Sequence, residues 1–86
     1  MIRAVIIDDE PNNITNLCRL LDRHCPEVQV AGTALSTLEG KERIEQCHPE
    51  LLFLDISMPD GTGFDLLKKV AYSGFEIIFV TAFHQY

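Results

Sequence analysis

Long apolar runs are missing from this chain. The longest, "AVII" and "LLFL", are far too short to span a bilayer, so no membrane segment is expected. Positive charge is also scarce: 7 Lys and Arg face 13 Asp and Glu, for a net charge of −6. Without a basic patch, these residues are not expected to bind the phosphate backbone of DNA or RNA. Cys18, Cys25 and Cys47 are odd in number and lack CxxC spacing, which argues against a zinc or dithiol redox site and for free packing thiols. Met1 opens directly into a strand-like "IRAVII" with no small-residue cleavage site, so no secretory signal is read and a cytoplasmic location is expected. Repeats, low-complexity tracts and linkers are absent too. The 86 residues therefore read as one small domain or a piece of one.

What is present is ordinary globular composition, 47% hydrophobic, in a regular alternation. "RAVIID" (3–8) is a β-branched run of the kind buried on both sheet faces. Ile14, Leu17, Cys18 and Leu21 then form one helical stripe, opening near Pro11 and ending by Pro26. "VQVAGTA" (28–34) is a more polar strand and so an expected sheet edge. "STLEGKERIEQCH" (36–48) carries a Ser36–Glu39 capping-box signature and stops before Pro49, although Gly40 inside it costs about 1 kcal/mol relative to Ala. "LLFLDI" (51–56) is a third strand, "FDLLKKVAY" (64–72) a third helix closed by Gly74, and "EIIFVTA" (76–82) a fourth strand. This βαβαβαβ order predicts an α/β fold with an open, doubly wound parallel sheet.

In such a sheet every strand ends at the same edge, and ligands bind outside those ends. The first strand ends in Asp8 and Asp9, the third in Asp55 and the fourth in Thr81. If these strands are neighbours, three carboxylates and a hydroxyl converge. Carboxylates about 4 Å apart repel by roughly 4 kcal/mol at an effective dielectric of 20, so the cluster calls for a cation. Oxygen-only ligands select a hard ion such as Mg²⁺, which leaves coordination positions for phosphoryl oxygens. Asp55, alone on the middle strand, is then the natural phosphoryl acceptor, with Asp8 and Asp9 holding the metal and Thr81 donating to a phosphoryl oxygen. Taken singly, each residue has a plainer role: Asp as a turn or cap residue, Thr as a strand former. Asp60 in "PDG" reads as a turn acid, and His24 and His48 as helix-closing residues.

"VIIDDEP", "LLFLDISMPDGTGFDLL" and "IIFVTA" together resemble response-regulator receiver domains of two-component systems. "PDGTGFDLL" with "VTAFHQY" is most similar to the branch carrying a LytTR-type DNA-binding domain. The resemblance implies a flavodoxin-like receiver fold of strand order 2-1-3-4-5. It makes Asp55 the phosphoacceptor, Asp9 a direct Mg²⁺ ligand and Asp8 a ligand largely through water. The backbone carbonyl of Ser57 joins Asp55 in the coordination, and Thr81 is the switch hydroxyl. It also implies a sensor histidine kinase as phosphodonor, receiver–receiver pairing, and a transcriptional output made through a DNA-binding domain outside these residues. Residues 1–86 would be the receiver's N-terminal portion. Strand five with its lysine, helices four and five, and the output domain are not found in them, which leaves the outer edge of 76–82 open. The enzyme alternative, a haloacid-dehalogenase-like phosphatase, wants a second acid two residues after the nucleophile, where Ser57 stands.

Overall fold

A computed structural model describes residues 1–80; Thr81, the last of the predicted site residues, lies outside them. Strands β1 (Ile2–Ile7), β2 (Val28–Ala34), β3 (Leu51–Leu54) and β6 (Glu76–Phe79) alternate with helices α1 (Pro11–His24), α2 (Thr37–Cys47) and α3 (Gly63–Lys69). A two-residue antiparallel pair, β4 (Ser57–Met58) and β5 (Gly61–Thr62), interrupts the path from β3 to α3. The four long strands form one parallel sheet in the order β2-β1-β3-β6. This is the doubly wound, flavodoxin-like arrangement expected from the sequence, with the polar β2 at an edge.

Strand alternation divides the core into two layers. Val5 and Ile7 of β1, with Leu52 and Leu54 of β3, pack against Ile44 of α2, Leu66 of α3 and Met58 of the hairpin. Ala4, Ile6 and Phe53 point the other way and meet Leu21 of α1, flanked by Ile14, Leu17 and Cys18. The helical stripe thus faces the sheet as its spacing requires, and all three cysteines are free. The glycine inside α2 is a packing contact: a Cβ on Gly40 would lie 2.8 Å from Ile7 Cδ1 and 3.1 Å from Leu66 Cδ2. Its absence lets α2 sit close against the sheet.

Several element boundaries differ from expectation. β3 ends at Leu54 instead of Ile56, because the chain turns after Asp55 so that Gly63 N donates to Ile56 O at 2.6 Å. β6 is Glu76–Phe79, with Val80 N still donating to Leu54 O at 2.9 Å, and the last two residues of the expected 76–82 strand lie outside the described residues. α3 starts at Gly63 behind a full capping box between Thr62 and Asp65, and ends at Lys69 instead of Tyr72. Tyr72 leaves the helix to stack on His48 with ring centroids 4.6 Å apart, and its hydroxyl lies 3.1 Å from the carbonyl oxygens of both Pro49 and Gly74. At the far edge of the sheet Ile78 and Phe79 stay 45% and 41% exposed, and no described strand pairs beyond β6.

Candidate phosphoacceptor site

The register between β1 and β3 sets the site. Ile7 pairs with Leu54, so the residues that follow, Asp8 and Asp55, leave the sheet side by side. Both remain tied to it: Asp55 N donates to Ile7 O at 2.9 Å and Asp8 N to Ala34 O at 3.0 Å. One carboxylate oxygen from each of Asp8, Asp9 and Asp55 lies within 4.8 Å of the others. Asp8 and Asp55 are buried, at 4% and 8% exposure, while Asp9 is half-buried. At such separations each like-charged pair repels by about 3 kcal/mol or more at an effective dielectric of 20.

The three acids differ in how the protein holds them. Asp8 Oδ1 accepts the Glu10 amide at 2.9 Å, and the Asn13 side-chain amide lies 3.5 and 3.3 Å from its two oxygens. These donors fix the carboxylate and offset part of its charge. Asp9, by contrast, receives no hydrogen bond among the described residues, so its oxygens are open. Asn13 is a site residue that the sequence reading missed. Its only signal was a polar residue in the first turns of a helix that follows an acid pair.

Behind Asp55 the backbone is closely packed. A Cβ on Gly63 would lie 2.8 Å from the Asp55 carbonyl oxygen and 3.0 Å from Leu54 Cγ, so only glycine lets α3 begin there. Ser57 opens β4 and pairs with Thr62, which puts its backbone two residues beyond Asp55 in the hairpin.

Asp60 lies in the hairpin turn, as expected from "PDG", but its carboxylate does more than serve that turn. Its two carboxylate oxygens accept the amides of Thr37 at 2.9 Å and Leu38 at 3.2 Å, capping α2 from the hairpin. The Thr37 amide and then its hydroxyl hold the Asp60 carboxyl below the usual carboxylate range. Asp65 is lowered in the same way by the Thr62 amide and hydroxyl, with smaller help from Lys68 and Lys69. The Asp60 cap on α2 carries no local sequence signature, since its donors and acceptor lie in different elements.

Residues 4–86 match the response regulator receiver domain. The chain belongs to that family. This receiver is 38% identical over 87 residues to an uncharacterized response regulatory protein of Vibrio cholerae, covering 100% of the chain and 36% of that relative. It is 38% identical over 91 residues to the sensory transduction protein LytT of Enterococcus faecalis, covering 99% and 36%. The receiver thus spans little more than a third of these relatives' length. Among solved structures, the response regulator domain of Thermotoga maritima CheB superposes with a TM-score of 0.85 at 28% identity, over 95% of this chain and 61% of that one. The family is one of signalling modules in two-component systems. Among the described residues, no helix is long and apolar enough to cross a membrane.

The donor set suits a hard divalent cation. All three candidate ligands are carboxylates, two are buried with like charge, and among the described residues no nitrogen or sulfur ligand joins the cluster.

Proposed function

We propose that this receiver accepts a phosphoryl group on Asp55, taken from the phosphohistidine of a sensor kinase with Mg²⁺ at the acidic edge. The observation that carries the reading is the convergence of Asp8, Asp9 and Asp55 within 4.8 Å at the carboxyl end of the central strands. Asp9 and Asp55, with the Ser57 backbone carbonyl, would hold the ion directly. Asp8, already bonded to Glu10 and Asn13, would act mainly through water. Bound there, Mg²⁺ supplies neutralisation of the negative oxygens that otherwise keep an anionic donor from an anionic carboxylate.

The chain's own part is position. The ladder bond from Asp55 N and the packing of Gly63 fix the aspartate's backbone, and its low exposure excludes bulk water. An Asp55 oxygen attacks phosphorus, the P–N bond to the donor imidazole breaks, and the imidazole leaves as the neutral base with a proton from its surroundings. The product is an acyl phosphate on Asp55. Thr81, one residue past Val80, would donate its hydroxyl to that phosphoryl group and turn phosphorylation into a change of surface. The resemblance to the LytTR branch supports a transcriptional output, exerted through a DNA-binding domain other than these residues, and a cytoplasmic location is proposed with it.

Calorimetric titration with MgCl₂ tests the metal assignment. Wild type binds, Asp9→Asn loses most of the affinity, and Asp22→Asn on the exposed side of α1 keeps it. Equal affinities for the two variants would contradict the assignment.

A further inference from the structure

The hairpin that follows Asp55 is anchored at three points. Met58 is buried in the core layer beneath α2 and α3, Gly63 N donates to Ile56 O at 2.6 Å, and Asp60 caps the first turn of α2. The third anchor differs in kind from the other two. It joins a two-residue turn to a helix 22 and 23 residues earlier in the chain through two charge-assisted bonds, and it places an anion at a helix N-terminus. α2 needs no such bond to be capped locally, because Ser36 Oγ already accepts Glu39 N at 3.2 Å and Glu39 Oε1 accepts Leu35 N at 3.1 Å. Asp60 supplies what the local cap leaves open, the amides of Thr37 and Leu38, and in exchange the hairpin is held against α2.

That hold acts along a short path. Asp60 sits in the turn between Met58 and Gly61, one ladder pair from the Ser57–Thr62 pair, and Ser57 is two residues from Asp55. A hairpin free to lift from α2 would carry the 56–58 backbone away from the acid edge. We infer that Asp60 is a positioning residue for the phosphoacceptor site, locking the hairpin to α2 so that the Ser57 backbone stays in register with Asp55 and Asp9. The inference rests on the Mg²⁺ reading above.

Its test compares two ways of uncapping the same helix. Asp60→Ala removes the hairpin's anchor; Ser36→Ala removes a cap bond of α2 and leaves the hairpin alone. Both lower the melting temperature. Asp60→Ala also lowers Mg²⁺ affinity by about tenfold, the low end of what loss of an outer-shell support costs, and speeds amide exchange at Ile56, Ser57 and Met58. Ser36→Ala changes neither. Asp60→Asn, which keeps one acceptor oxygen, recovers part of the affinity and serves if the alanine variant does not fold. Unchanged affinity and exchange in Asp60→Ala and Asp60→Asn, or the same losses in Ser36→Ala, would overturn the inference alone. A wild-type protein that binds no Mg²⁺ would overturn the phosphoacceptor reading and take the inference with it.

Discussion

Gly63 and Asp55 are locked together at the backbone: the space a Cβ on Gly63 would need lies 2.8 Å from the Asp55 carbonyl oxygen. The start of α3 is therefore part of the wall that sets the direction of Asp55. A Gly63→Ala protein must move that wall, against a carbonyl that cannot yield without disturbing the ladder bond to Ile7. Overpacking of this kind costs about 1–3 kcal/mol. Urea denaturation should show a loss in that range.

Asn13 is a neutral side chain that bonds to the acid cluster, and its amide lies 3.3 Å from Asp8 Oδ2. Asn13→Asp replaces a donor by a fourth carboxylate, which adds repulsion of roughly 1–2 kcal/mol once the half-buried side chain has rotated to relieve it. The metal-free variant should melt lower than wild type, and the gap should narrow or close on adding MgCl₂. A gap that stays constant with Mg²⁺ would separate Asn13 from the metal site.

Asp60 and Asp65 make the acid limb of stability predictable. Both folded-state pKa values lie below the ordinary value, through the Thr37 and Thr62 donors respectively. Their stabilising contribution is therefore complete above the unfolded carboxyl pKa of about 4 and is lost as pH falls through the lower folded values. The stability difference between wild type and the Asp60→Asn, Asp65→Asn double variant should be constant near neutrality and shrink below about pH 4. Carboxyl titration followed by NMR should place both groups below the ordinary aspartate value.

Strands were legible in this sequence because each is a short apolar run between clear breakers, and the acids at their ends could be read as one edge once the strands were taken as parallel neighbours. The rest depended on contacts between distant elements. Gly40 reads as a defect in a helix until Ile7 and Leu66 are seen to press on it. Tyr72 fits the helical pattern of 64–72, yet its ring is recruited by His48 and its hydroxyl by Pro49, so tertiary packing ends the helix at Lys69. Asp60 fits a turn, and only the folded chain brings it to the Thr37 amide. Asn13 shows the same limit within the site, because which face of α1's first turn meets Asp8 is settled by docking against the sheet.

Intact-mass analysis after incubation with acetyl phosphate tests the assignment of Asp55 as phosphoryl acceptor. With Mg²⁺, the wild-type protein should gain one phosphoryl group, and without Mg²⁺ it should gain almost none. Asp55→Ala should gain none in either condition, and peptide mapping of the wild type should place the group on Asp55. A phosphoryl group that persists in Asp55→Ala, or that maps to Asp8 or Asp9 in the wild type, would contradict the account.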